Sequence, residues 1–244
     1  MAGRADYAQI YKARKSTDYA KLDTVAFKLQ GGPYTNLMLD IMKNPDMIFT
    51  EDMFGNYQFS LDNVTKIGDR STYIVAFKQR PYITQPLYYG ELYIDTESLA
   101  ITSATFKLNV TDKEATGLMF TKRKPIGCKV YPTEASYHVD FRQKNGRWYY
   151  GYSRGQITFK VVWNKRLFNS NYESIIEMLV TDWEKLEENP INPSERLKPT
   201  VIMADEIAGF GDPQFWGEYN VIEPEKSIEV AIKKIQKNLV KKNK

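Results

Sequence analysis

Two runs of alternating apolar and polar residues meet at the dipeptide Asn145-Gly146, and this pattern constrains the fold more than any other feature of the sequence. Every second position on its two sides is apolar: Tyr137, Val139, Phe141, Trp148, Tyr150 and Tyr152. Asn and Gly both tolerate positive φ, so Asn-Gly between alternating runs predicts a two-residue β-hairpin turn. The same alternation places His138 on the polar side of its strand.

Similar patterns extend from about Tyr57 to Asp182 and predict a succession of hairpins. The predicted segments include Leu87–Asp95, Leu99–Asn109 and Tyr172–Asp182. Hairpins without intervening helices favour an antiparallel sheet, so we predict a mainly β (α+β) fold. Gly155, inside a long strand, predicts a bulge or bend that curls the sheet. We therefore expect a strongly curved antiparallel sheet that forms an incomplete barrel around one or two helices.

Helices are predicted at two places. A helix is predicted over Tyr34–Lys43, where the apolar residues Leu37, Met38, Ile41 and Met42 have helical spacing, and Asn44-Pro45 ends it. We expect this helix to pack inside the curved sheet. Residues 223–242 predict a C-terminal amphipathic helix with one apolar stripe, and docking on the protein's own surface is favoured over the alternative of lying on an anionic membrane. Residues 184–200 are charged, contain several prolines and predict a long loop. No domain boundary is visible, so we expect a single domain over 1–244.

Composition excludes several functions. The 34 basic and 30 acidic residues give a net charge of +4, too balanced for a dedicated nucleic-acid binder. One Cys and one His exclude a disulfide within the chain and the usual zinc sites, so we predict no metal and no cofactor. Cys128 is expected to be an incidental buried residue. No apolar stretch is long enough for a transmembrane span.

Five segments resemble one family: Ile10–Thr17, Phe27–Pro33, Leu87–Asp95, Lys165–Ser170 and Phe215–Pro224. Together they resemble the C-terminal region of the carboxypeptidase-like regulatory domain-containing envelope proteins of Gram-negative gut bacteria. The resemblance implies a periplasmic or cell-surface location and a truncated N-terminal portion, with a signal peptide and a small β-sandwich domain upstream. It does not imply peptidase activity here, because a zinc carboxypeptidase needs two His ligands. The predicted architecture is also similar to the periplasmic lipoprotein-carrier fold.

The expected function is that of a non-catalytic envelope module that binds an apolar, lipid-like ligand or a partner protein. The candidate binding residues are aromatic: Trp148, Tyr150, Tyr152, Trp216 and Tyr219. A structural role, in which the chain itself fills the sheet and Trp216 and Tyr219 anchor the C-terminal helix, remains open. The alternative is a carboxylate-dependent hydrolase acting on a glycan or ester, with Asp95 and Glu97 or Asp205 and Glu206 as the acid pair.

Overall fold

Seven strands form one antiparallel sheet in a computed structural model that describes residues 7–10, 33–121, 126–164, 169–185 and 191–206. The strands pair in chain order, and the first and last strands do not pair with each other, so the sheet is not closed into a barrel. They are β1 (Tyr57–Ile67), β2 (Arg70–Gln79), β3 (Tyr88–Asp95), β4 (Ile101–Leu108), β5 (Cys128–Lys144), β6 (Arg147–Trp163) and β7 (Ser170–Leu179). The prediction of a mainly β, antiparallel fold is confirmed.

The described helices are short. They are α1 (Pro33–Met38), α2 (Lys113–Phe120) and α3 (Met203–Glu206), with 3-10 turns at Pro45–Met47, Phe54–Asn56 and Pro193–Glu195. Contacts group residues 1–9 and 31–200 into one unit and residues 10–30 and 201–244 into another. All seven strands lie in the first unit, whereas the predicted C-terminal helix over 223–242 lies outside the described residues.

The β5–β6 hairpin turns where the sequence predicts. Asn145 has φ 53° and Gly146 has φ 75°, the positive values that a type I′ turn requires at both central positions. Lys144 pairs with Arg147 directly beside the turn, and the pairing continues to Cys128 opposite Trp163. The turn therefore fixes which residues of the two longest strands share a face.

The register divides the sheet into an apolar face and a polar face. Phe106 pairs with Tyr137 on the apolar face, and the preceding Thr105 pairs with His138 on the polar face. Buried side chains of the apolar face form one cluster that spans β1 to β6: Tyr57, Phe77, Leu92, Ala104, Phe106, Leu108, Tyr137, Val139, Phe141 and Tyr150. The alternation around Asn145-Gly146 therefore arises, as the sequence predicts, because one face of the sheet is buried and the other is polar.

Residues 33–56, here called the covering segment, pack against the apolar face. Its Leu39, Ile41 and Ile48 are buried in the same cluster as the sheet residues. At one end Asn36 is buried and accepts hydrogen bonds from two residues of β6: Tyr150 Oη donates to its carbonyl (2.5 Å) and Ser153 Oγ to its Oδ1 (3.2 Å). The chain therefore supplies its own cover for this face.

The other end of the covering segment packs against the first two strands. The ring of Phe49 lies 5.1 Å from that of Tyr57 in β1 and 5.0 Å from that of Phe77 in β2, both edge-on. Such aromatic pairs add stability beyond the area that they bury. The segment thus contacts strands near both edges of the sheet.

The helix predicted over Tyr34–Lys43 is shorter than its apolar spacing indicates. α1 ends at Met38, and the side chain of Asn44 donates a hydrogen bond to the carbonyl of Leu37 (3.0 Å), which satisfies an acceptor at the helix end. Turns of i→i+3 type follow at Leu39 and Asp40. Leu39 and Ile41 are buried from these turns rather than from a continuous helix.

The bulge predicted at Gly155 lies elsewhere. β6 pairs without interruption from Tyr152 to Thr158. The β5–β6 register shifts on either side of this stretch, between Pro132 and Glu134 and between Asp140 and Phe141, and at the second shift Gly151 is the extra residue of β6. The extra residue reverses which side chains of β6 lie on each face of the sheet. Tyr150 lies on the apolar face, whereas Tyr152 pairs with Asp140 on the polar face. At Gly155 the absent side chain instead makes room for the ring of Tyr137, whose atoms lie 3.4–3.5 Å from where a Cβ would stand.

Gly90 is required by a close backbone approach. A Cβ on Gly90 would stand 2.0 Å from the carbonyl oxygen of Thr105 and 2.6 Å from the Cα of Phe106 on the adjacent strand. Phe106 in turn stacks on Tyr137 at 5.2 Å between ring centroids. Gly90 and Gly155 therefore flank a stacked aromatic pair, but only Gly90 faces immovable backbone.

Gly90→Ala is expected to destabilise the fold by about 3 kcal/mol or more, because a side chain there must force β3 and β4 apart. The matched variant Gly155→Ala is expected to change stability by less than about 1 kcal/mol, since a methyl group there meets only the edge of a ring. Urea unfolding of both variants measures the difference. Equal destabilisation by the two substitutions would contradict the assigned strand contact.

Candidate functional site

A depression of about 420 Å³ lies on the polar face of the sheet, across β3 to β6. Cross-strand pairing builds it from two adjacent rows of side chains. One row is Glu91, Thr105, His138 and Arg154, and the other is Tyr89, Lys107, Ser136 and Gln156. Thr105 of β4 and Ser136 of β5 contribute short side chains, whereas Lys107, His138 and the residues of β3 and β6 contribute longer ones, so the surface is lowest at Thr105 and Ser136.

The lysine and the arginine of the depression each have a carboxylate partner. Lys107 Nζ lies 2.8 Å from Glu134 Oε1, and Arg154 Nη1 lies 3.3 Å from Glu177 Oε1. The imidazole of His138 lies 2.9 Å from Asp140 Oδ2. An anionic ligand would therefore have to compete with these carboxylates for Lys107 and Arg154, and Glu91 adds a carboxylate that bonds to Tyr93 rather than to a cation.

Hydrogen bonds within the site fix the orientation of its long side chains. Arg154 Nη2 donates to Gln156 Oε1 (3.1 Å), and Gln156 Nε2 donates to Glu173 Oε1 (2.6 Å). At the opposite side Tyr93 Oη donates to Glu91 Oε2 (2.6 Å). Each of these groups keeps further donor or acceptor positions, so the depression presents several oriented polar groups to one small volume.

The pKa values of the two carboxylates beside Tyr152, those of Asp140 and Glu177, are shifted in opposite directions. Burial raises the pKa of Asp140, but the hydrogen bond from His138, together with Ser103 and Arg142, outweighs burial and lowers the pKa below its ordinary value. The pKa of Glu177 is raised, chiefly by burial, although Arg154 acts against it. Asp140 therefore stays ionised in mild acid, whereas Glu177 takes up a proton more readily.

Tyr152 lies between these two groups. Its side chain is buried, its hydroxyl makes no hydrogen bond of normal geometry with any described residue, and burial followed by the charge of Glu177 raises its pKa. Its ring centroid lies 6.0 Å from that of His138. Because the hydroxyl is sealed from solvent and Tyr152 does not line the depression, this side chain does not contact a ligand there.

Ser136, His138 and Asp140 lie at alternate positions of one strand, the residue types of a hydrolytic triad. Successive side chains on one face stand about 7 Å apart along a strand, and a nucleophile–base pair needs about 3 Å. The imidazole of His138 bonds to Asp140, and the hydroxyl of Ser136 lies 3.5 Å from the carbonyl of Gln156. The observed hydrogen bonds thus connect the histidine to the acid and leave the serine with a backbone partner.

The predicted binding aromatics do not form one surface. Trp148 and Tyr150 lie on the apolar side, where Trp148 Nε1 donates to Ser98 Oγ (3.2 Å) and Tyr150 holds Asn36. Tyr152 lies beneath the polar face because of the bulge at Gly151. Trp216 and Tyr219 lie outside the described residues.

The acid pairs considered for hydrolysis are placed differently. Asp95 is buried in the β3–β4 turn and accepts from the backbone and the hydroxyl of Ser98 (both 2.7 Å) and from Arg70 (3.2 Å). These bonds, led by that from the Ser98 hydroxyl, lower the pKa of Asp95 to about 2, which suits a turn-stabilising carboxylate rather than a general acid. Asp205 and Glu206 end α3.

Neither a metal centre nor a membrane-spanning helix occurs among the described residues. Among residues 7–10, 33–121, 126–164, 169–185 and 191–206, no group of three or more His, Cys, Asp or Glu side chains is placed to hold a metal ion. The side chain of Cys128 is buried in a small cluster with Val130, Phe159 and Val161. No helix in the described part of the chain is long and apolar enough to cross a bilayer.

Comparison with known proteins identifies no relative: no family model matches the chain, and no curated protein or solved structure is significantly similar to it. The family resemblance of the five segments therefore remains a hypothesis, and the site is interpreted from its own chemistry.

Most residues of the depression escape prediction from the sequence. Alternation places Ser136, His138 and Asp140 on one face, but the contributions of Tyr89, Glu91 and Arg154 depend on which strands are neighbours and in what register. The sequence does contain one indication of the depression: short polar residues lie at the centre of β4 and β5, although these strands are otherwise rich in aromatic residues.

His138→Ala is expected to raise the pKa of Asp140, because the substitution removes the hydrogen bond that opposes the effect of burial. The pKa of Asp140 in the folded protein lies below its ordinary value of 3.8. Ionised Asp140 therefore stabilises the fold at pH values above 3.8, and this contribution is lost as the pH falls through the folded-state pKa. At pH 5 the free energy of unfolding of the variant is therefore expected to be lower than that of the original protein. Below pH 2 the two proteins are expected to differ little.

A carboxyl ¹³C NMR titration of Asp140 measures this shift. Lys107→Ala is the matched control, because Lys107 pairs with Glu134 and not with Asp140. An unchanged titration of Asp140 in the His138 variant would show that the pair is not formed in solution.

Proposed function

We propose that the chain is a non-catalytic binding module of the bacterial cell envelope, and that its ligand is a small, uncharged, hydroxyl-rich molecule held in the polar-face depression. The observation that carries this proposal is that Lys107 and Arg154 of the depression are each already paired with a carboxylate and that His138 is hydrogen-bonded to Asp140. An uncharged polar ligand can use the remaining donors and acceptors without breaking these pairs. The volume of about 420 Å³ lies in the range of small-molecule sites.

Tyr89 supports an uncharged ligand with an apolar side, such as a sugar ring. Its side chain is 42% exposed at the rim of the depression, beside Glu91 and opposite Arg154 and Gln156. An exposed aromatic ring covers a C–H surface while neighbouring polar groups bind hydroxyls, because aromatic side chains combine a flat apolar face with low conformational entropy. Glycan units are therefore the first ligand class to test.

An apolar ligand inside the sheet has less support from the described residues. In this version of the proposal the sheet is an incomplete barrel, similar to the lipoprotein-carrier fold, and the ligand occupies its concave side. The apolar face packs instead against Leu39, Ile41, Ile48 and Phe49 of the covering segment. A bound lipid would need to displace this segment or occupy space beside it.

Catalysis also has less support. The hydrolase alternative needs a general acid and a second carboxylate across a cleft, and Asp95 serves the β3–β4 turn. The opposite pKa shifts of Asp140 and Glu177 are a pattern that enzymes use, but these carboxylates are already bonded to His138 and Arg154. The envelope location belongs to the same proposal and rests on the sequence resemblance.

The proposal is tested by ¹⁵N–¹H NMR with neutral mono- and disaccharides, anionic sugars and short-chain phospholipids as probes, alongside turnover assays with nitrophenyl glycosides and esters. Neutral sugars are expected to shift the amides of residues 89–91, 105–107, 136–138 and 154–156 without turnover. Shifts of the covering segment by phospholipid alone would favour the carrier version. Turnover that is lost in Asp140→Asn or Glu177→Gln would favour the hydrolase.

Tyr89→Ala is expected to weaken binding of a neutral sugar about tenfold, because the ring that covers its apolar side is removed. Tyr82→Ala is the matched control: Tyr82 is 71% exposed but does not line the depression. Isothermal titration calorimetry measures both. Equal affinities for the two variants would place the ligand somewhere other than the depression.

A further inference from the structure

The outer edge of β1 is open among the described residues. β1 is the first strand of the sheet and, of the described strands, pairs only with β2. Three of its apolar side chains are exposed: Leu61 is 62% exposed, Val64 is 51% exposed and Ile67 is 49% exposed. A long edge strand that carries exposed apolar side chains is a template on which a further strand can pair.

The register with β2 shows that two of these side chains belong to the apolar face. Leu61 pairs with Val75 and Val64 pairs with Tyr73, and the extra residue between them keeps both on the same side of β1. Val75 packs against the buried cluster, whereas Leu61 and Val64 beside it are exposed. The apolar face therefore extends, at β1, beyond the part that the covering segment buries.

The charges of β1 match those of a second β1 that runs in the opposite direction. Asp62 and Lys66 are both exposed, and each lies two residues from Val64. Asp62 is also the residue that the β1–β2 pairing leaves without a partner. A two-fold antiparallel pairing about Val64 brings Asp62 of each copy beside Lys66 of the other. Opposite charges that face each other across two strands stabilise the pairing, and like charges oppose it.

β7, the other edge strand of the described sheet, lacks this complementarity. Its charged residues are Glu173 and Glu177, so pairing with a second β7 would bring carboxylates together. Both carboxylates are also engaged within the sheet, since Glu173 accepts from Gln156 and Glu177 pairs with Arg154. Of the two edges, β1 is therefore the one that fits a second copy of itself.

We propose that β1 pairs with β1 of a second copy of this chain, about a two-fold axis at Val64, and that the two seven-stranded sheets join into one. Val64 of one copy then contacts Val64 of the other, with Leu61 beside it on the same face. The amide of Val64 donates to the side chain of Asn63 (2.8 Å), so pairing exchanges one hydrogen bond at the centre for another. This inference is independent of the ligand site in the depression.

Sedimentation velocity with the full chain tests the proposal. The original protein is expected to form a dimer whose fraction rises between about 1 μM and about 1 mM. Lys66→Glu places a carboxylate beside Asp62 of the other copy, so the affinity is expected to fall about tenfold. Lys129→Glu is the matched control, because it makes the same charge change at an exposed position of β5, away from either edge of the sheet.

A mixing experiment tests the register itself. Asp62→Lys alone is also expected to weaken the dimer, because two lysines then face each other. When this variant is mixed with Lys66→Glu, both cross-strand positions carry opposite charges again, so a mixed dimer with the affinity of the original protein is expected. Native mass spectrometry identifies the mixed dimer, and circular dichroism checks that the variants, altered only at exposed positions, stay folded.

Four outcomes overturn the proposal. They are a chain that stays monomeric over this concentration range, a dimer that neither single variant weakens, a mixture that does not recover the original affinity, and oligomers that keep growing with concentration. The last outcome indicates head-to-tail pairing of β1 with β7, because a two-fold contact closes at the dimer.

Discussion

Burial of the covering segment on the apolar face is the interaction on which the rest of the structure depends. A single sheet is stable in water only when one face is covered, and here residues 33–56 provide that cover within the same unit of the chain. Asn36 fixes the position of the segment, because its carbonyl and side-chain oxygens accept from Tyr150 and Ser153 of β6. Loss of this contact would leave two buried hydroxyls without partners, which costs more than an ordinary hydrogen bond contributes.

Covering one face determines what the other face can do. The polar face carries the residues that alternate with the core, and the long strands β5 and β6 bring them into register with β3 and β4. The bulge at Gly151 then places a buried ring, Tyr152, under this polar surface, between Asp140 and Glu177. The result is a surface whose ions are paired and oriented before any ligand arrives, and such preorganisation lowers the cost of binding.

The sequence predicts those features that depend on neighbouring residues. Asn145-Gly146 predicts the hairpin, and alternation predicts the polar placement of His138, because turn chemistry and side-chain direction are local properties. The prediction fails where a single side chain outside the apolar pattern decides where an element begins or ends. α1 ends early because Asn44 bonds to Leu37, and α2 is missed although Asp112 offers an N-cap, accepting from Glu114 and Ala115. The bulge lies at Gly151 rather than at Gly155, which instead leaves room for the ring of Tyr137 on the neighbouring strand.

Hydrogen–deuterium exchange of the covering segment tests the central claim most directly. The hydrogen-bonded amides of Asn44, Ile48 and Phe49 are expected to exchange only through global unfolding, at the same opening free energy as amides of β4 and β5. Exchange about 100-fold faster in the segment, with β4 and β5 still protected, would mean that the segment leaves the apolar face of the folded protein. The apolar face would then be an accessible surface, and the assignment of binding to the polar face would be contradicted.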